Sequence, residues 1–339
     1  MSYANSDFIK NKSLVLIEKL SEHLKLVKQD EHLFFRNGET IYVPDIHGDF
    51  VHLITTLYKH GVLEISLNLK KDFKYVFLGD FYDRAPDSDV VDFWLNSQIK
   101  NGNEIYRLIG NHEMAFLERN VDGYPIIFPS QDSIKDASNN FQITECLLKN
   151  IAEGNLIAAY VDGEVLYVHS YIISDDFVEL GLDKNADILN FVIALNERFH
   201  EHGRKSYEVF LDCKKKNEYD WEAVIKPFKD DSLFDITKTR NEINTSFLWR
   251  RTGVTVLNIF PAELEAPIPD NVYQIVGHTP VFSFNIPNKQ SVTSPFILSL
   301  KDGSGKVQFS DVGIGYYYKK DSFERPEVVI NKALSIILI

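Results

Sequence analysis

The segment Gly79-Asp80-Phe81-Tyr82-Asp83-Arg84 follows directly after the apolar run Lys74-Tyr75-Val76-Phe77-Leu78. A short apolar run that stops at a glycine and a carboxylate is typical of a buried strand with polar chemistry at its end. Four other segments repeat the arrangement: Asp45-Ile46-His47-Gly48-Asp49, Gly110-Asn111-His112-Glu113, Val168-His169-Ser170 and Gly277-His278-Thr279. One such segment alone is weak evidence, but five in one chain predict that several strand ends supply a single site.

The polar side chains at these strand ends are of the kinds that bind metal ions. Because side chains alternate along a strand, Asp45 and His47 are predicted to point to the same face and to reach one ion together. We expect the site at the carboxyl edge of a sheet, as is usual in α/β architectures. Carboxylate, imidazole and amide ligands without thiolates favour Mn²⁺, Fe or Zn²⁺.

The spacing of apolar residues predicts how the chain is organised around these segments. Residues 40–62, 74–102 and 104–120 each predict a strand followed by a helix, and residues 6–28 predict an amphipathic helix. Alternation of this kind favours an α/β sandwich with mixed sheets. The stretches of about 121–160 and 172–245 lack strand patterns and predict helical insertions. We interpret 1–339 as one domain whose insertions form a cap over the site or simply cover a sheet face.

Composition and charge exclude several classes of function. The chain of 339 residues has a net charge of −13, which argues against a nucleic-acid-binding surface. No apolar run is long enough to span a membrane, and the first residues do not resemble a standard secretory signal. Two cysteines do not predict a disulfide framework. The default expectation is a cytoplasmic protein, with export as a bacterial effector into a host cell left open and the oligomeric state not indicated.

Taken together, the five segments resemble the metallophosphoesterase superfamily and, within it, the PPP-type phosphoprotein phosphatases. The family pattern consists of GDxHG, GDxxDRG, GNHE, a strand-ending histidine and a later GH[TS], and it is matched over about residues 41–313. Pro44, Ala85 and Ser170 depart from that pattern; all three replacements are small, so the metal site is expected to be retained, and they suggest a divergent, bacterial-type branch. The resemblance implies a β-sandwich of two mixed sheets flanked by helices, with a helical cap or insertion.

The resemblance also implies a binuclear metal centre. It suggests two divalent ions, with Mn²⁺ expected first and Fe or Zn²⁺ as alternatives. By motif position, Asp45 and His47 resemble ligands of the first metal, and Asp80 resembles the bridging carboxylate. The residues that resemble ligands of the second metal are Asn111, His169 and His278.

Four further residues are assigned catalytic roles by the same resemblance. His112 is expected to be the general acid that protonates the departing alkoxide. Asp83 is expected to orient the ring of His112, and Arg84 to bind the phosphate oxygens. A second arginine is expected in an LWxR-like segment, and the spacing favours Arg251 over Arg250. Glu113 is expected to be a structural partner of this motif.

These roles predict an enzyme that hydrolyses phosphoserine or phosphothreonine monoesters of a phosphorylated protein, with phosphotyrosine left open. The alternative is a symmetrical dinucleoside-tetraphosphate hydrolase, but such relatives usually lack the equivalent of Asp83 and carry GNHD in place of GNHE. A cyclic phosphodiesterase or nuclease usually ends in GHxH, whereas Thr279-Pro280 follows His278 here. A catalytically inactive scaffold would be expected to have lost metal ligands, and none is lost.

Overall fold

The computed structural model describes residues 7–27, 29, 36–82, 84–85, 87–117, 137–235, 246–250, 260–261, 268–270, 272–280, 284–285, 296–299 and 305–311. The predicted site residues Asp83 and Arg251 lie outside these ranges. The helices are α1 Asp7–Leu24, α2 Phe50–Lys59, α3 Ser88–Lys100, α4 Asn111–Leu117, α5 Ala137–Ala152, α6 Ser174–Glu179, α7 Ile188–Lys216 and α8 Trp221–Lys229. The strands are β1 Arg36–Asn37, β2 Thr40–Val43, β3 Lys74–Phe77, β4 Glu104–Arg107, β5 Ala159–Asp162, β6 Val165–Val168, β7 Phe260–Pro261, β8 Tyr273–Pro280, β9 Phe284–Asn285, β10 Phe296–Ser299 and β11 Lys306–Asp311.

The first sheet has the strand order β1-β2-β3-β4. Strands β2, β3 and β4 are parallel, and β1 is antiparallel to β2 at one edge. Parallel neighbours need a crossover connection, which α2 and α3 provide in the two strand–helix units. The predicted strand–helix alternation over 40–102 is therefore confirmed.

The second sheet has the order β10-β11-β8-β6-β5. Its three central strands are parallel, while β10 and β5 are antiparallel at the two edges. Both sheets are thus mixed, as predicted, and helices flank them. Strands β7 and β9 form a separate short parallel pair.

The two sheets are joined by an apolar layer and by polar contacts at one end. Tyr42 of the first sheet and Tyr167 of the second belong to one buried cluster, with ring centroids 6.4 Å apart. Asp162 of β5 accepts a hydrogen bond from Thr40 Oγ1 at 2.5 Å and pairs with Lys74 Nζ at 3.1 Å. These contacts fix the sheets against each other, so that their strand ends meet at a common edge.

Two groups of helices pack together beside the sheets. Helices α1, α2 and α3 contact one another, and α7 packs against α5, α8 and strand β5. The stretches predicted as insertions contain α5 and the helices α6, α7 and α8, and their role as a cap over the site stays a prediction. No helix in the described part of the chain is both long and apolar enough to cross a membrane.

Candidate metal centre

The predicted metal ligands come from both sheets and meet where the sheets join. The sequence predicted the carboxyl edge of one sheet, and the structure corrects this, because β2, β3 and β4 supply one side of the site and β6 and β8 the other. Burial is nearly complete, with every one of these residues at most 2% exposed. The residues brought together are Asp45, His47, Asp80, Asn111, His169 and His278.

Asp45 and His47 are close for a reason other than the predicted strand alternation. Strand β2 ends at Val43, and the chain then turns, with His47 in the left-handed region at a φ of 50°. The backbone N–H of His47 donates to the carbonyl of Asp80 at 2.8 Å, which fixes the turn. His47 Nε2 consequently lies 3.9 Å from Asp45 Oδ2.

Asp80 lies at the middle of the cluster. Its Oδ2 is 3.8 Å from His47 Nε2 and 3.6 Å from His112 Nε2. Its Oδ1 is 3.4 Å from His169 Nε2 and accepts the backbone N–H of His112 at 3.0 Å. One carboxylate therefore faces imidazoles on two sides, which is the geometry that a bridging ligand needs.

The side-chain oxygen of Asn111 lies between two imidazoles. It is 2.8 Å from His169 Nε2 and 2.8 Å from His278 Nδ1. His169 Nδ1 is 2.6 Å from the carbonyl of Leu78, so Nδ1–H donates to that oxygen, and Nε2 is left facing the Asn111 oxygen. With a neutral ring, the Nε2 lone pair and the Asn111 oxygen could both bind one cation.

The donor atoms form two groups suited to metal ions. His47, Asp80 and His112 each offer an atom within 4.8 Å of the others, and so do Asp80, His169 and His278. Asp80 belongs to both groups. Nitrogen and oxygen donors without sulfur fit Mn²⁺, Fe or Zn²⁺, so the residues present fit divalent ions. The first group contains His112, which the sequence predicted as the general acid, and not Asp45, which it predicted as a ligand.

The buried carboxylates of the site also favour the binding of cations. Burial raises the pKa of Asp45 well above its ordinary value, and the charges of Asp311 and Asp80 raise it further. Burial also raises the pKa of Asp80 well above its ordinary value, and the charge of Glu113 is the second cause of that rise. Isolated buried carboxylates are costly to ionise, and bound divalent ions would supply the missing positive charge.

His47 is held in its neutral form. Burial, followed by the charges of Arg84 and His112, lowers the pKa of this imidazole well below its ordinary value. A neutral imidazole keeps a lone pair, as a metal ligand must. The effect of Arg84 also shows that its guanidinium lies near the site, although its predicted contact with phosphate stays a prediction.

Glu113 organises the backbone of the site, as the sequence predicted for a structural partner. Its carboxylate accepts the backbone N–H groups of Asp80 at 2.8 Å, Phe81 at 2.7 Å, Tyr82 at 3.2 Å and Gly110 at 2.9 Å. Burial raises the pKa of Glu113 to about 7, even though these four bonds lower it. One side chain therefore fixes the turn that carries the central carboxylate.

Two glycines are required by close packing of the carboxylates. A Cβ on Gly110 would collide with Asp80 Oδ1, and a Cβ on Gly277 would collide with Asp45 Oδ1. The backbone N–H of His278, next to Gly277, donates to both oxygens of Asp45 at 2.9 and 3.1 Å. Any larger residue at either position would displace a predicted ligand.

Asp311 is a site residue that the sequence analysis did not identify. It ends β11, is fully buried, and lies close enough to raise the pKa of Asp45 and of Asp80. The signal that could have found it is an acidic residue at the end of the alternating stretch that forms β11. Its neighbour β8 continues to Pro280, past the predicted ligand His278, and this extension pairs Asp311 with Pro280 beside the site.

The structure gives Arg250 a structural role. Its guanidinium forms a bidentate ion pair with Asp176 at 2.7 and 3.0 Å and donates to the carbonyl of Tyr171 at 3.1 Å. The buried pair uses both terminal nitrogens of the guanidinium. This agrees with the preference for Arg251 as the phosphate ligand, which stays a prediction because Arg251, like Asp83, lies outside the described residues.

Comparisons with known proteins point in the same direction. A model of the family described as calcineurin-like phosphoesterase matches residues 40–282, well over half of the chain. A zinc-dependent endopolyphosphatase of Saccharomyces cerevisiae is 32% identical over 98 residues, which make up 28% of this chain and 26% of that protein. The match therefore spans about a quarter of that relative's length.

Two solved structures show a looser likeness. A cold-active protein-tyrosine phosphatase of a psychrophilic Shewanella species has a TM-score of 0.44 at 15% identity, covering 86% of this chain and 78% of that chain. A protein serine/threonine phosphatase of Saccharomyces cerevisiae, with similarity to human phosphatase PP5, has a TM-score of 0.40 at 13% identity, covering 89% and 77%. At these scores, neither structure decides what this chain acts on.

We predict that metal binding releases protons. The raised pKa values of Asp45 and Asp80 mean that these carboxyls hold protons in the metal-free protein where ordinary carboxyls are ionised. Mn²⁺ must displace those protons, so its affinity for chelator-treated protein should keep rising with pH above the range in which ordinary carboxyls ionise. Titration calorimetry in buffers of different ionisation enthalpy measures both the affinity and the released protons.

The matched control for this titration is Asp212→Asn. Asp212 is an exposed carboxylate paired with Lys216 at 2.6 Å, so its loss should leave Mn²⁺ binding as in the wild type. An affinity that does not change with pH would contradict the proposed burial of these carboxyls at a metal site.

Proposed function

Because the chain belongs to the calcineurin-like phosphoesterase family, we propose that it is a metal-dependent phosphoprotein phosphatase. Its substrates would be phosphoserine and phosphothreonine monoesters, with phosphotyrosine as a second choice. The observation that supports this most is Asp80, whose two oxygens face separate groups of ligand atoms. A shared carboxylate of this kind suits two-metal hydrolysis of phosphate esters.

The six predicted ligands would hold two divalent ions, Mn²⁺ by preference. When bound, such ions polarise phosphoryl oxygens and make a potent nucleophile of water at neutral pH. We assign Asp45 and His47 to one ion and Asn111, His169 and His278 to the other, with Asp80 shared. Asp311 would add negative charge that strengthens binding of both.

His112 would donate the proton to the leaving oxygen. Its backbone N–H is fixed on Asp80 Oδ1 at 3.0 Å, and its ring nitrogen Nε2 lies 3.6 Å from Asp80 Oδ2, at the edge of the ligand cluster. The same distance would also allow His112 to serve as a ligand. Asp83 would orient this ring, and Arg84 and Arg251 would bind the phosphate oxygens in a planar, bidentate way.

Two features favour a phosphoprotein over a dinucleotide as the substrate. The chain carries Asp83 and Glu113, where symmetrical dinucleoside-tetraphosphate hydrolases usually have neither. Glu113 is long enough to accept four backbone N–H groups at once. We place the activity in a cytoplasm, either that of its own cell or, for an exported effector, that of a host, in keeping with a sequence of only two cysteines, Cys146 and Cys213, which form no disulfide in the described part of the chain.

A substrate panel tests this function. Metal-stripped protein would be assayed with and without Mn²⁺ on phosphoserine, phosphothreonine and phosphotyrosine peptides, diadenosine tetraphosphate and inorganic polyphosphate. We expect Mn²⁺-dependent phosphate release from the phosphoserine and phosphothreonine peptides. Turnover of the dinucleotide alone would establish the alternative function. Turnover of polyphosphate alone would instead align this chain with the activity named for its yeast relative.

The role of His112 is tested by the leaving group. A general acid is needed for an alkoxide and hardly at all for a nitrophenolate, which departs without a proton. His112→Asn should therefore lower kcat on a phosphoserine peptide by about 10²–10⁴, with a much smaller loss on nitrophenyl phosphate. His23→Asn, on helix α1, is the matched control and should change neither rate.

Equal losses on the two substrates, together with weaker Mn²⁺ binding, would contradict the acid role. They would instead make His112 a ligand in the group that it forms with His47 and Asp80.

A further inference from the structure

Helix α1 lies outside the part of the chain that matches the family, yet it reaches the loop that carries Arg84. Lys12 Nζ lies 3.1 Å from Asp87 Oδ1 and 2.9 Å from Asp89 Oδ1. Asp87 follows Arg84 by three residues. The contact therefore joins the N-terminal helix to the segment between the phosphate-binding loop and α3.

Asp87 is a buried carboxylate that depends on this lysine. It is 1% exposed and occupies the N-cap position of α3, but its side chain makes no capping hydrogen bond. Burial raises the pKa of Asp87 to about 7, and the charge of Lys12 is the largest influence that opposes the rise. A buried carboxylate of this kind is retained where a cation is paired with it, and Lys12 is the paired cation.

The backbone at Asp87 and just before it is hydrogen-bonded to the turn that carries the predicted ligand His47. The N–H of Asp87 donates to the carbonyl of Gly48 at 3.1 Å, and the N–H of Ala85 donates to the carbonyl of His47 at 2.9 Å. Arg84 directly precedes Ala85. It has a φ of 65°, in the left-handed region that non-glycine residues rarely adopt. Such a conformation persists only where the surroundings hold it.

We propose that Lys12 is a positioning residue for Arg84, because its ion pair with buried Asp87 holds the strained loop in the conformation that presents the guanidinium to a phosphate group. The inference rests on the proposed function, since it concerns the phosphate of the substrate. Helix α1 would then act on the phosphate-binding site through this ion pair.

The test compares four variants of the full-length, Mn²⁺-loaded protein. Lys12→Met removes the charge and keeps the stem, Lys12→Arg keeps the charge, and Asp87→Asn removes the charge of the buried one of its two partners. Lys25→Met is the matched control, because Lys25 lies just past the end of α1 and, among the described residues, its ion pair is an exposed one with Glu22 at 2.6 Å. The readouts are amide exchange at Ala85, Asp87 and the start of α3, the affinity for inorganic phosphate, and kcat and KM on a phosphoserine peptide.

We expect Lys12→Met to speed amide exchange in this segment and to weaken phosphate binding and raise KM on the order of tenfold. Because Arg84 would bind the phosphate equally in the ground state and the transition state, kcat should change by less than about twofold. Lys12→Arg should keep the amide exchange rate, the phosphate affinity and KM close to those of the wild type. Asp87→Asn should change all three as Lys12→Met does, and Lys25→Met should match the wild type.

The inference is overturned if Lys12→Met leaves amide exchange and phosphate affinity as in the wild type, or changes them no more than Lys25→Met does. Should Lys12→Met not fold, Asp87→Asn decides, because it removes the ion pair without leaving a buried charge. Exchange and phosphate binding need no turnover. A wild type that is inactive on phosphopeptides would therefore count against the proposed function, while these two readouts would still decide the role of Lys12.

Discussion

Three buried carboxylates, Asp45, Asp80 and Asp311, are held together where the two sheets meet, and the surrounding structure depends on this concentration of negative charge. Each is at most 1% exposed, so water does not screen them from one another. The pKa values of the first two are raised as a result. Divalent cations offset the free-energy cost of burying these carboxylates most directly. Metal binding is therefore expected to stabilise the fold of this chain.

The other features of the site follow from this constraint. Gly110 and Gly277 leave room for carboxylate oxygens, and Glu113 uses its own charge to hold the turn around Asp80. Charged groups away from the centre have a different function. Arg250 pairs with Asp176, and Lys12 pairs with Asp87, so each secures a loop while remaining outside the ligand cluster.

Much of this could be predicted because the signals are local. An apolar run that ends in a glycine and a polar residue identifies β3 and Asp80 without knowledge of the fold, and the strand–helix alternation predicted mixed sheets. The turn at His47 could not be predicted, because its left-handed backbone is held by a hydrogen bond to Asp80, distant in sequence. Asp311 and Lys12 were missed for a similar reason: their roles arise only from contacts with residues far along the chain.

The central claim is that Asp80 bridges two metal ions. It is tested most directly by anomalous diffraction from crystals of the Mn²⁺-loaded protein, recorded on either side of the manganese absorption edge. The account predicts two peaks about 3.5–4 Å apart, as in two-metal sites generally, with one Asp80 oxygen on each. A single peak, or two peaks of which Asp80 touches neither or only one, would contradict it.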